Sequence, residues 1–268
     1  MMKNERAEMN PDIFNVSENS KIILNDCLDW MEKQDDNFIS SIVTDPPYGV
    51  KEFEFNQLDK LTEGKKGGIW RLPPSFDGSN RAPLPRFTAL NEKERREITS
   101  FFKLWAQKSI RILKPGGHVI MASNAFIAPL TWQALISEGY EFRGEIIRLV
   151  RTLRGGDKPK GAEEEYPNVC SMPRGCYEPW GVFRKPLENK MRIQDCLKKF
   201  GTGGLRRLPN GMPCLDVIQS ERTPKKEKLI ANHPSIKPQS LLRLLCYISL
   251  PLGEGIVLDP FSGSGSTI

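Results

Sequence analysis

The tetrad Asp45-Pro46-Pro47-Tyr48 sets a carboxylate, two ring-locked backbone units and a phenol side by side. It follows Phe38 to Thr44, a run rich in β-branched residues that reads as a strand. Open α/β sheets place their ligand sites at the carboxyl ends of such strands. An aromatic amino group is a poor nucleophile, because its lone pair is delocalised into the ring. A carboxylate can accept one of its N–H bonds and a fixed backbone carbonyl the other. The nitrogen is then held nearer to a tetrahedral geometry and in line with an electrophilic methyl carbon. The prolines restrict the backbone that aims the Pro46 carbonyl, and Tyr48 offers a ring face on which an extruded base can stack. The product cation can shed its proton afterwards, so no strongly shifted acid or base is required. Taken alone, the tetrad also reads as a turn that ends a strand and caps a helix.

A second motif runs from Leu258 through Asp259, Pro260, Phe261, Ser262, Gly263, Ser264 and Gly265 to Thr267. Glycines directly after a strand let the backbone approach a ligand closely. A phosphate loop would need a lysine and a longer gap between its glycines, and both are missing. F-x-G-x-G at a strand end suits the methionine part of S-adenosylmethionine better. The third motif, His233-Pro234-Ser235-Ile236-Lys237-Pro238, stands just before an apolar helix and about 20 residues ahead of the glycine turn. It reads either as a helix-entry turn or as part of a ligand site.

The elements that must position these motifs alternate between strand and helix. Strands are expected at Lys21 to Leu24, Phe38 to Thr44, His118 to Ala122, Phe142 to Thr152, Pro179 to Arg184 and Ile256 to Leu258. Helices are expected at Cys27 to Lys33, Asn91 to Leu113, Pro129 to Glu138, Met191 to Phe200 and Gln239 to Leu250. Asn91 with Glu94 three residues on is a capping-box signature, and Pro115-Gly116-Gly117 is a turn signal. Lys51 to Thr88 is rich in Gly, Pro and charge and reads as a long loop. The alternation argues for a mostly parallel α/β sheet.

The charge is unevenly placed. The chain carries 39 Lys and Arg against 33 Asp and Glu, yet residues 143–228 alone hold 19 against 11. The excess positive charge therefore lies wholly in that central region, which suits a polyanion as well as a solvated surface. The six cysteines, Cys27, Cys170, Cys176, Cys196, Cys214 and Cys246, form no C-x-x-C pair, and the histidines are only His118 and His233. Closely spaced metal ligands are thus missing, and reduced thiols of a cytosolic protein are expected. No apolar run approaches the roughly 20 residues of a membrane span, and Met1 to Ser20 reads as a flexible leader without a signal-peptide core.

The three motifs, in this order, resemble the amino-methyltransferases of DNA, specifically their circularly permuted β group, over about Lys21 to Ile268. The resemblance implies a Rossmann-like α/β fold that uses S-adenosylmethionine, is cytoplasmic in a bacterium or phage, and acts on double-stranded DNA. It implies that Asp45 and the Pro46 carbonyl hold the target amino group, with Pro47 stiffening the turn and Tyr48 stacked on the flipped base. Phe261, Gly263 and Gly265 would line the cofactor pocket with Asp259 at its entrance. Ser235 and Lys237 would lie near the methionine end, and Asp26 and Cys27 near the adenine. Asn25-Asp26 stands where the family usually has Gly-Asp. Residues 21–184 and 232–268 would form the catalytic domain. Residues 185–231 would be a small recognition lobe, with Arg206, Arg207, Lys225, Lys226 and Lys228 on DNA. The loop Lys51 to Thr88 is itself expected to close over the flipped base, with Trp70 or Phe76 wedging the duplex.

Asp at the head of the tetrad favours adenine N6 as the target, with cytosine N4 as the alternative, and methylation of RNA or a protein amide is disfavoured by the permuted order. In the family the glycine turn is followed by a helix, a further strand and an acidic ribose contact, whereas this sequence stops at Ile268. The expectation is therefore a gap in the sheet beside the Lys21 strand, which a further segment or a second chain would fill. Cofactor binding by these 268 residues alone would be weak, and a non-catalytic DNA-binding remnant is a rival reading.

Overall fold

The computed structural model describes residues 12–47, 91–150, 158–159, 161–170, 173, 175–220, 223–229, 236–263 and 265–267. In chain order the elements are β1 (Asp12–Ser17), β2 (Ser20–Leu24), α1 (Cys27–Glu32), β3 (Ile39–Thr44), α2 (Glu92–Ile112), β4 (Leu113–Ala122), α3 (Ala128–Ser137), β5 (Glu141–Leu149), β6 (Tyr177–Arg184), α4 (Ile193–Phe200), β7 (Val217–Gln219), α5 (Lys225–Lys228), α6 (Gln239–Ser249) and β8 (Val257–Leu258). Six strands form one sheet in the order β7-β5-β6-β4-β3-β8.

The sheet is buried on both faces because its central strands alternate between two apolar sets. Ile42, Val119, Met121 and Phe183 face one core with α1, α2 and α3, where Trp105, Trp132 and Leu135 pack. Val43, Ile120, Trp180 and Val182 face the other, beneath Leu241, Leu242, Leu245 and Ile248 of α6. This is the period-2 alternation of a strand meeting the 3.6-residue stripe of a helix. The result is an α/β/α sandwich. Gly181 belongs to the first face, where a Cβ would stand 2.1 Å from Trp132 Nε1, so the bare backbone is what lets α3 seat on β6.

The expected elements recur with shifts of a few residues at their ends. α2 carries the predicted capping box, with Asn91 accepting from the Glu94 N–H and Glu94 reaching back to the Asn91 N–H. At the far end of α2, Arg111 donates to the carbonyls of Gln34, Met31 and Glu32 and closes the C-terminus of α1.

Three expectations need correction. Asp12–Ser17, expected within a flexible leader, is a strand that pairs antiparallel with β2. β2 itself, expected in the main sheet, joins only this hairpin, because its partner is supplied locally; β8 is the sheet's edge among the described residues. The sheet is mostly parallel, as expected: β3 is parallel to β4 and β8, and β5 to β7, while β6 runs antiparallel to both β4 and β5. Finally, the strand expected from His118 starts at Leu113 and absorbs the proline-glycine turn as an irregularity. Gly116 there has φ +74°, and a Cβ would lie 2.7 Å from Cys196 Sγ and 2.8 Å from Gly203 Cα.

The segment 185–231, expected to form a small recognition lobe, sends β7 into the central sheet beside β5. It also anchors to β4, where Thr202 Oγ1 donates to the Pro115 carbonyl at 2.5 Å. The expected loop from Lys51 to Thr88, with Trp70 and Phe76, lies outside the described residues. No helix among them is long and apolar enough to cross a membrane.

Candidate active site

β3 and β8 are parallel neighbours, so their carboxyl ends emerge at the same edge of the sheet. Each is followed by Asp-Pro: Asp45-Pro46 after β3 and Asp259-Pro260 after β8. The two turns are joined directly, since Thr44 Oγ1 donates to Asp259 Oδ1 at 2.6 Å. Two motifs more than 200 residues apart in sequence thus form one surface.

Asp259 is anchored from three sides. Besides Thr44, the Phe261 N–H donates to Oδ1 at 3.1 Å and Thr267 Oγ1 donates to Oδ2. Burial pushes its carboxyl above the ordinary range, against these hydrogen bonds, which favour the anion. The carboxylate therefore braces the glycine turn from within, a role that the sequence alone does not assign. Gly263 and Gly265 have φ +50° and +76°, a left-handed region that glycine enters freely. The turn closes with the Gly265 N–H on the Ser262 carbonyl at 2.7 Å. Phe261 packs on Trp105 and Phe101, each with ring centroids 6.2 Å away.

The β2 end of the hairpin reaches the same turn, for a Cβ on Gly265 would meet Ile22 Cδ1 at 3.8 Å. Two residues beyond β2, Asp26 caps α1 by accepting the Leu28 and Asp29 N–H groups, both on Oδ1. Cys27 is half-buried against the first core, and its thiol is pushed up to about 11 by burial and then by Asp26.

Asp45 is 20% exposed at its side chain, Pro46 is buried and Pro47 is exposed. The Lys237 ammonium stands 3.1 Å from Asp45 Oδ2 and 2.7 Å from Glu178 Oε2. Glu178 Oε1 accepts the Trp180 Nε1–H at 2.8 Å and the Arg148 Nη1–H at 3.4 Å. Burial alone would raise the Glu178 carboxyl, but the Lys237 and Arg148 cations outweigh it and hold it below its ordinary value. Burial alone would lower the Lys237 amine, but Asp45 and Glu178 outweigh that and hold it above its ordinary value. Both partners thus agree on a fully charged cluster.

Lys237, expected near a cofactor's methionine end, stands beside the Asp45 carboxylate. Glu178 and Arg148 were missed by sequence reasoning. They are directly opposed across β5 and β6, and nothing in the local sequence marks that register. Tyr48 and Ser235 lie outside the described residues.

The basic residues separate. Arg206 stacks on Tyr247 with its guanidinium 4.3 Å from the ring centroid. It lines a cleft of about 450 Å³ with Arg243, Tyr247, Ser266 and Thr267, on the glycine-turn side. Arg207 is exposed and donates to the Gly211 carbonyl at 2.9 Å. Lys226 is exposed on α5, and the side chains of Lys225 and Lys228 lie outside the described set.

The chain is similar to known proteins in sequence and in fold. The type II methyltransferase M.HindIII of Haemophilus influenzae is 25% identical over 262 residues, covering 89% of this chain and 82% of its own length. The solved PvuII DNA methyltransferase, described as cytosine-N4-specific, superposes with a TM-score of 0.55 at 16% identity, covering 94% of this chain and 77% of that one. A structure of a DNA modification methylase from Thermus thermophilus, complexed with S-adenosyl-L-methionine, gives 0.51 at 16% identity, covering 91% of this chain and 80% of that one. A family model described as DNA methylase, of the N6/N4 class, matches residues 39–268. The chain belongs to that family, the S-adenosylmethionine-dependent methyltransferases that act on an exocyclic amino group of a DNA base.

Proposed function

We propose that the protein methylates adenine at N6 in double-stranded DNA, and that Asp45 with the Pro46 carbonyl holds the reacting amino group. The observation that carries this reading is the partly exposed Asp45 carboxylate, aimed by a buried ammonium at the sheet edge where the glycine turn emerges. A carboxylate keeps about four lone-pair positions on two oxygens, so an ammonium on Oδ2 leaves room to accept an amino N–H. The amino nitrogen, held by that acceptor and by the Pro46 carbonyl, presents its lone pair toward the glycine turn. It would take the methyl from the sulfonium, the carbon–sulfur bond breaking to leave a neutral thioether, and would then release one proton to solvent. Tyr48 would support the flipped base by stacking.

The residues present fit S-adenosylmethionine on two observations. Gly263 and Gly265, both left-handed, present no Cβ at two positions of the turn, and Phe261 closes its inner side against Trp105 and Phe101. Phe261, Gly263 and Gly265 would hold its methionine and sulfonium part, with Asp259 bracing the turn. Asp26 and Cys27 would stand at its adenine end beyond β2. Bound there, it supplies an electrophilic methyl carbon.

Asp at the head of the tetrad supports adenine, while cytosine N4 is the second reading, favoured by the likeness in fold to the PvuII enzyme. The exposed Arg207 and Lys226 support DNA contact through phosphates. Mass spectrometry of nucleosides from DNA treated with the protein decides the target: N6-methyladenine is expected, and N4-methylcytosine in its place would overturn the assignment.

A further inference from the structure

We propose that Glu178 is a positioning residue for methyl transfer: acting through Lys237, it fixes the orientation of the Asp45 carboxylate. This deepens the reading of Asp45 as the acceptor of the target amino group and rests on it.

The argument begins with strand direction. β6 is antiparallel to β4, with Ala122 opposite Trp180. The first residues of β6 therefore arrive at the edge of the sheet where β3 and β4 end and Asp45 begins. Glu178 is two residues before Trp180, so it shares the sheet face that packs under α6. Lys237 enters from just before α6 on that same face.

A lysine ammonium on a four-carbon stem is a poor aiming device by itself, because the stem is flexible. Here its position is fixed at the far side. Glu178 Oε2 accepts from Lys237 at 2.7 Å, while Oε1 is held by Trp180 and by the cross-strand Arg148. Both carboxylate oxygens are thus engaged, and the anchor is itself part of a strand. Lys237, Glu178 and Arg148 have side chains only 9%, 14% and 7% exposed, so little water competes for these bonds. The chain of contacts Arg148–Glu178–Lys237–Asp45 spans β5, β6, the approach to α6 and the end of β3. Two cations face two carboxylates, and only the last member, at 20%, opens appreciably to solvent. The network ends on the Asp45 carboxylate, at the sheet edge where the glycine turn also emerges.

Among the described residues, the ionisable groups facing Lys237 are Asp45, Glu178 and Arg148. Removing the Glu178 charge takes away one of the two anions that keep the amine protonated and leaves Arg148 to oppose it. Lys237 should then lose its proton at lower pH, and with it the bond that orients Asp45.

The test compares Glu178→Gln, Glu178→Asp and Asp45→Asn with the unaltered methylase. It measures kcat and the KM values for DNA and S-adenosylmethionine across pH, together with the titration of Lys237 by NMR of 13Cε-labelled lysine. Glu178→Gln is expected to lower kcat by about 10-fold to 100-fold, the scale of a misplacement of about 1 Å at a reacting group. Both KM values should stay within about 3-fold, as for loss of an interaction that matters mainly in the transition state. The alkaline limb of kcat and the Lys237 titration should both move to lower pH, and Glu178→Asp, which keeps the charge at shorter reach, should fall between.

A uniform loss of kcat at every pH with Lys237 titrating unchanged would mean that Glu178 serves only packing, and would overturn the proposal. So would wild-type kinetics in Glu178→Gln beside an inactive Asp45→Asn, a result that leaves the Asp45 reading intact. Full turnover in Asp45→Asn would instead overturn that reading itself. Should Glu178→Gln not fold, wild-type kcat and an unmoved Lys237 titration in Glu178→Asp would overturn the proposal equally.

Discussion

Asp45 and Asp259 look alike in sequence, an aspartate before proline after a parallel strand, yet their surroundings differ. Asp259 accepts from Thr44, Thr267 and the Phe261 N–H and is consumed in bracing a turn. Asp45 meets the Lys237 ammonium and stays partly open. The difference follows from where the partners come from: Phe261 and Thr267 fold back locally onto the second aspartate, whereas the first is met by a lysine from a distant segment. His118 presents a separate case. It is buried on β4, in register with Ser41 and Arg184. Burial first, then Arg184 and Arg143, push its imidazole down to about 3 from 6.5. The folded protein therefore keeps it neutral, while the unfolded chain takes up a proton once pH falls below 6.5. Stability from this residue is intact above 6.5 and is lost as pH drops toward 3, at up to about 1.4 kcal/mol per pH unit. Urea unfolding of His118→Gln and wild type at pH 7.5 and pH 5 checks this. The stability gap between them should narrow at pH 5, and an equal gap at both values would contradict it.

At the scale of elements, the reversal of β6 decides most of the site. Periodicity in the sequence locates this strand within two residues, but direction is not written in periodicity. Hence Asp45, which carries its own flanking prolines and strand end, was legible, and so was the glycine turn. Glu178 and Arg148 were not, since their meeting depends on the pairing of β5 with β6 and on the arrival of α6. The hairpin was likewise missed, because Asp12–Ser17 is short, polar in part and exposed, and its strand character comes from pairing with β2. α2 was legible for the opposite reason: its capping box and apolar stripe are local. Gly181 shows how closely β6 is packed. Gly181→Ala would drive a methyl group into Trp132 Nε1 at 2.1 Å. A loss of about 1 to 3 kcal/mol is expected, as for overpacking of a close-packed core, measured by urea unfolding at neutral pH. An unchanged midpoint would mean that α3 is not seated on β6 as described.

At the scale of the whole molecule, the excess positive charge of residues 143–228 is divided between the interior and the surface of the fold. Part of it is internal to the fold: Arg148 lies in the site's own network, Arg184 bonds Glu141 at 2.6 Å, and Arg206 stacks on Tyr247. The share facing solvent, including Arg207 and Lys226, is what remains to meet phosphates. Charge counting in the sequence could not make that division, because it requires knowing that β7 joins the central sheet. DNA held by such a surface must still deliver one amino group to Asp45. Single-turnover transfer of a radiolabelled methyl from S-adenosylmethionine to DNA, with Asp45→Ala beside wild type, measures that step directly. The account predicts a fall of about 100-fold to 1,000-fold in rate, as for loss of one preorganised partner of the reacting group, with DNA affinity little changed. Transfer by Asp45→Ala at the wild-type rate would contradict it.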